Sequence, residues 1–166
     1  MSSCVEVQTS ANGKSSVTFK KMSTTTLLQS MPLPDNVVLL PMVSLNEAPA
    51  LRLRNNTFTG AEEFGMDGDS LSAAQKEMLQ QAVVFVRDVL DKGGDFSILA
   101  VCRQGANRSG LMLGFVKKSI LGVETLDQDD DTLPLNNGLY RAALTLPEGL
   151  DVDPVHVKRA SRMRLR

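Results

Sequence analysis

From Leu71 to Lys92 the chain places apolar residues three and four apart, at Leu71, Ala74, Met78, Ala82, Phe85, Val86 and Val89, before Gly93-Gly94 interrupts the pattern. That spacing gives a helix one apolar stripe, and the paired glycines give it a stop. Phe96 to Val101 is almost wholly apolar, which predicts a strand covered on both faces, as in a parallel sheet. A second helical run, Leu111 to Leu121, turns Leu111, Met112, Phe115, Val116 and Ile120 inward and Lys117 and Lys118 outward, with Gly114 allowing close packing. Val37 to Val43 reads as a short buried strand broken near its end by Pro41. Leu51-Arg52-Leu53-Arg54 alternates at period two and predicts a strand with one wet face. Strands alternating with helices predict one α/β domain: a central, mostly parallel sheet flanked by helices.

The remaining stretches are polar. Residues 1–29 are rich in Ser, Thr, Lys and Asn, with only Val17-Thr18-Phe19 strand-like, and read as a flexible N-terminal arm or a poorly anchored edge strand. The hydroxyl cluster Ser23-Thr24-Thr25-Thr26 reads as solvated. The α/β domain is placed at residues 30–150, and residues 151–166 form a basic tail or short helix. Asn55 to Ser70, with three glycines, reads as an exposed loop carrying Glu62, Glu63, Asp67 and Asp69. Leu126 to Pro134 reads as a solvated acidic turn, and Asn136-Asn137-Gly138 as a turn before a short helix at Leu139 to Leu144.

Composition narrows the class. The 166 residues suffice for one domain with a core, and 42% hydrophobic and 22% charged residues are ordinary for a globular protein. A net charge of −1 gives no global field to recruit nucleic acid. Two cysteines, Cys4 and Cys102, make no disulfide framework and suit a reducing compartment. No apolar run reaches the ~20 residues of a membrane span, and no secretion signal is visible. The expected location is cytoplasmic, with nuclear import through the basic C-terminus as the alternative. His156, the single histidine, has no companions for a metal site, so no metal is expected.

The candidate chemistry lies between the apolar strand and the second helix, in Val101-Cys102-Arg103-Gln104-Gly105-Ala106-Asn107-Arg108-Ser109-Gly110. A loop wrapping a helix N-terminus turns successive backbone N–H groups inward, and the helix dipole adds positive potential, so the loop is suited to an oxyanion. Arg108 can grip two phosphate oxygens with its planar fork. The same field favours thiolate over thiol at Cys102, making it a nucleophile at neutral pH.

Cys-x5-Arg followed by Ser, set between a hydrophobic strand and a helix, resembles the phosphate loop of the cysteine-dependent protein phosphatases, most of all the dual-specificity branch. Residues 96–121 carry the resemblance, and length and layout extend it over about Asn36 to Leu146. It implies a dual-specificity phosphatase-like fold, a phosphorylated protein substrate, and no metal or organic cofactor. Cys102 would be the nucleophile. Arg103, Gln104, Gly105, Ala106, Asn107 and Arg108 would hold the phosphate, and Ser109 would steady the leaving thiolate. The family takes a proton donor for the leaving oxygen from an upstream aspartate. Asp69, 33 residues before Cys102, fits best and Asp67 second. Asp69, just before Ser70-Leu71-Ser72, could equally cap the helix that follows.

Other readings use the same residues. Val101 stands where the family usually has histidine, which motivates a catalytically weak phosphate-binding module. Gly105-Ala106-Asn107-Arg108 is similar to the loop of the RNA 5′-triphosphatase branch, and Arg103 would also suit an inositol lipid. A redox-sensing thiol is a further reading. Protein phosphoester ranks first because the chain lacks a broad basic surface.

Overall fold

The computed structural model describes residues 3–9, 13–64, 71–105, 107–123, 126, 130 and 132–134. Its elements are β1 (Ser3–Thr9), β2 (Gly13–Ser23), α1 (Thr24–Gln29), β3 (Val37–Pro41), a 3₁₀ turn (Pro49–Leu53), α2 (Ala73–Leu90), β4 (Gly94–Cys102) and α3 (Arg108–Leu121). The sheet order is β1-β2-β4-β3, with β2, β4 and β3 parallel and β1 antiparallel to β2. The architecture is α/β: a three-stranded parallel sheet with helices on both faces.

Side-chain alternation along the strands sorts the core into two layers. Val17 and Phe19 of β2, Val38 and Leu40 of β3, and Ile98, Ala100 and Cys102 of β4 pack with α2 and α3. Met22, Val37, Leu39, Leu99 and Val101 point the other way, to Leu27 of α1 and to Leu45 and Leu51. Helix α2 begins with a capping box, in which Ser72 Oγ accepts from Gln75 N–H and Gln75 Oε1 accepts from Ser72 N–H. Ser72, and not Asp69, is therefore its N-cap. The buried stripe of α2 runs through Leu79, Ala82, Val83, Val86, Val89 and Leu90. The expected stripe is thus rotated slightly, leaving Ala74 exposed and Met78 and Phe85 at its border.

Four expectations need correction. Residues 13–29 are no flexible arm. β2 is an interior strand, bonded to β1 on one side and along its length to β4 on the other. The reason is the alternation Ser15, Val17, Phe19, which presents one buried face from an otherwise polar sequence. The predicted strand at Leu51–Arg54 is instead the 3₁₀ turn, opened by Pro49. Leu51 is buried while Leu53 is 89% exposed, a split that a shared strand face would not give. The loop from Asn55 is not wholly exposed: Thr57 bridges to Leu39, and Ala61 and Phe64 are buried.

The fourth correction concerns Lys117 and the acidic turn. Lys117 is buried, its Nζ 3.0 Å from Asp130 Oδ2 and 5.7 Å from the centre of the Phe19 ring. Thr132, Leu133 and Pro134 are buried too, with Lys21 Nζ donating to the Leu133 carbonyl. Burial pushes the Asp130 carboxyl up, but hydrogen bonds from the Thr132 hydroxyl and N–H, together with Lys117, hold it below the usual aspartate value. A folded-state pKa below the unfolded one contributes stability above the ordinary aspartate range. That contribution is lost as pH falls through the depressed value. Asp130→Ala, which takes the ion pair from a buried ammonium, is expected to cost on the order of 1 to 3 kcal/mol in urea unfolding at neutral pH. The gap from wild type should close in acid.

No helix among the described residues is long and apolar enough to cross a membrane. The turn at Asn136–Gly138, the helix expected at Leu139–Leu144 and the basic tail at residues 151–166 lie outside the described residues.

Candidate functional site

The C-terminal ends of the three parallel strands meet in one place: Ser23 of β2 pairs with Cys102 of β4, and Pro41 of β3 with Val101. From β2 the chain passes into α1 on one face of the sheet, and from β4 into α3 on the other. Neighbouring strands whose connections leave to opposite faces open a crevice between them, the usual ligand position in open α/β sheets. The loop from Cys102 to Arg108 occupies that crevice.

Gly105 fixes the loop's path. Its φ is +73°, a left-handed conformation open to glycine, and a Cβ there would lie 2.6 Å from Ser23 N and 2.7 Å from the Met22 carbonyl carbon. The loop therefore turns tightly against the junction of β2 and α1, where Thr24 Oγ1 also donates to the Cys102 carbonyl at 3.4 Å. Gly105→Ala is expected to cost about 2 kcal/mol or more in urea unfolding, from left-handed strain and the backbone clash.

The loop leads directly into α3, whose first residue is Arg108 and whose N-cap, Asn107, makes no side-chain capping bond. The leading N–H groups of a helix have no partners within it, and those of α3 directly follow the loop. The Cys102 side chain is 3% exposed, and its thiol donates to Ser109 Oγ at 3.3 Å. Ser109 is fully buried. Arg108 is half-buried and curls back toward the sheet, with Nη1 donating to the carbonyls of Met42 at 3.3 Å and Phe64 at 3.4 Å. Cys102, Arg103, Gln104, Asn107 and Arg108 line an open pocket of about 300 Å³. Close packing continues at Gly110, where a Cβ would stand 2.8 Å from Pro134 N.

No family model matches the chain, and no curated protein or solved structure is significantly similar to it.

The structure brings together Cys102, Arg103, Gln104, Gly105, Asn107, Arg108 and Ser109. Asp67, Asp69 and Ala106 lie outside the described residues. Val101 is fully buried and points away from Cys102, into the layer of Leu27, Leu45 and Leu51. The backbone also separates the two cysteines. Cys4 pairs with Thr18, and Thr18 with Ser97, five residues short of Cys102 and two strands away. At ~3.3 Å per residue and ~4.8 Å per strand the gap far exceeds the ~7 Å between Cα atoms that a disulfide tolerates.

Sequence reasoning missed a second, adjoining cleft of about 580 Å³, which shares Arg103 and Arg108 with the first pocket. Thr24 and Thr25 form one wall, and Ser44, Asn46, Glu47 and residues 62–64 the others. Glu62 is already engaged. It accepts from Leu45 N–H at 2.9 Å and from Arg52 Nη2 at 2.8 Å, clasping the two loops. The Arg52 hydrogen bonds pull its carboxyl below the usual range against a smaller opposing effect of burial. The sequence signals for this cleft were the alternation in β2, which carries α1 to the site, and the acidic loop from Asn55, which carries Glu62 and Glu63.

Proposed function

We propose that the chain is a cysteine-dependent phosphatase that hydrolyses a phosphoester, with phosphotyrosine first and phosphoserine or phosphothreonine second, through a cysteinyl-phosphate. The observation that carries this reading is the buried Cys102, its Sγ 3.3 Å from Ser109 Oγ, in the lining of a pocket shared with Arg108 at the start of α3. Cys102 Sγ attacks phosphorus, the ester P–O bond breaks, and a proton passes to the leaving oxygen, the part assigned to Asp69 with Asp67 second. Arg108 and the loop N–H groups hold the equatorial oxygens as charge develops. Water, giving a proton to the same aspartate, then attacks phosphorus as the S–P bond breaks, releasing inorganic phosphate and the thiolate, which the Ser109 hydroxyl steadies by donating to sulfur. The dual-specificity phosphatase-like fold belongs to this same reading.

The test is to denature wild type during turnover of a small aryl phosphate and read the mass of the peptide containing Cys102. One added phosphoryl group there is expected. Turnover without such an adduct, at every quench time, would remove the covalent step.

A second reading is favoured by Val101. An aliphatic residue turned into the opposite layer gives the loop no hydrogen-bond donor from that position, which suits a module that holds a phosphorylated partner without releasing it rapidly. The two readings part on whether wild type turns over faster than Cys102→Ser.

A further inference from the structure

The distribution of charge around the two adjoining cavities is uneven. Arg103 and Arg108 line both, whereas Glu47 and Glu63 line only the larger cleft. Both glutamates are exposed and make no ion pair with a described residue, unlike Glu62 in its clasp with Arg52. Arg103 and Arg108 are the residues the two cavities share, whereas the described residues that line the larger cleft alone add carboxylates and uncharged groups and no further cation.

Resting on the phosphatase reading, we infer that this cleft takes the leaving group and selects for positive charge beside the phosphate: a phosphorylated protein segment with Arg or Lys next to the phosphoresidue. One phosphate satisfies the arginines. A second or third anionic group, as on an RNA 5′-triphosphate or an inositol polyphosphate, would lie against Glu47 and Glu63 and be repelled. A neighbouring guanidinium would instead meet them, while the peptide backbone meets the hydroxyls of Thr24, Thr25 and Ser44.

The experiment compares two phosphotyrosine peptides, identical except that the flanking residues are Arg in one and Glu in the other. Turnover by wild type and binding to Cys102→Ser are measured with the full chain at low salt. The Arg peptide is expected to lead by about 5- to 20-fold, and the preference should shrink as salt rises, as it does for solvent-exposed charge pairs. In the double variant Glu47→Lys, Glu63→Lys the ratio of the two peptides is expected to fall to one or invert. Equal values for both peptides in wild type, or a stronger response to RNA 5′-triphosphate or inositol hexakisphosphate, would overturn the inference.

A small aryl phosphate separates the two levels. If wild type hydrolyses it but does not distinguish the peptides, the phosphatase reading stands and the cleft assignment is lost. If it is not hydrolysed while Cys102→Ser still prefers the Arg peptide, the enzyme reading is lost and the cleft assignment stands. No binding of either peptide ends the cleft assignment.

Discussion

Cys102→Ser is expected to lower turnover of a small aryl phosphate by on the order of 10⁴-fold or more while leaving vanadate binding in place. The oxygen that replaces sulfur stays next to Ser109 and against the same core residues, so the fold has little reason to change. A buried hydroxyl is a poor nucleophile at neutral pH. On the proposed mechanism the substitution replaces a readily ionised nucleophile with one that stays an alcohol. Initial rates and vanadate affinity, measured on both proteins, check the two halves of the statement. Equal rates with retained affinity would leave the phosphate-holding module as the surviving reading.

Arg108→Ala is expected to reduce kcat/KM by about 10³-fold, since it removes the guanidinium that the proposed mechanism uses to fork two phosphoryl oxygens as charge builds. Its bonds to the Met42 and Phe64 carbonyls, at 3.3 and 3.4 Å, are long, so turning toward an oxyanion sacrifices little. Those carbonyls make the substitution cost about 1 kcal/mol of stability as well. Urea unfolding separates that loss from the catalytic one. Arg108→Lys should keep the charge and recover only part of the rate, because an ammonium is a point donor. A variant whose activity falls only as far as its stability would assign Arg108 a structural part alone.

The portions of the molecule that could be read from residues are those where periodicity was strong. The apolar run of β4 and the three-and-four spacing of α2 and α3 gave strand, helix and helix, and hence a loop with a cysteine at its start and an arginine at its end. What escaped was decided by tertiary pairing. β2 shows only two large apolar residues on its buried face, Val17 and Phe19, and draws its order from partners on either side. Lys117 looked solvated because its counter-charge, Asp130, sits 13 residues away in a segment with no periodicity of its own. Two leucines two apart at Leu51 and Leu53 fit a strand as well as they fit the turn that Pro49 starts. The wall made by Thr24 and Thr25 depends on strand order, which a single sequence does not state.

The seat of Gly105 against Ser23 bears on how the molecule can be shortened. Composition invites a cut near residue 30, as if the first segment were dispensable. Such a cut would take away the strand and the helical turn that back the loop, and would leave β4 with a bare hydrogen-bonding edge along nine residues. A trimmed chain would therefore keep every residue named in the chemistry while losing the mould that shapes them, and would be prone to pair with its own copies.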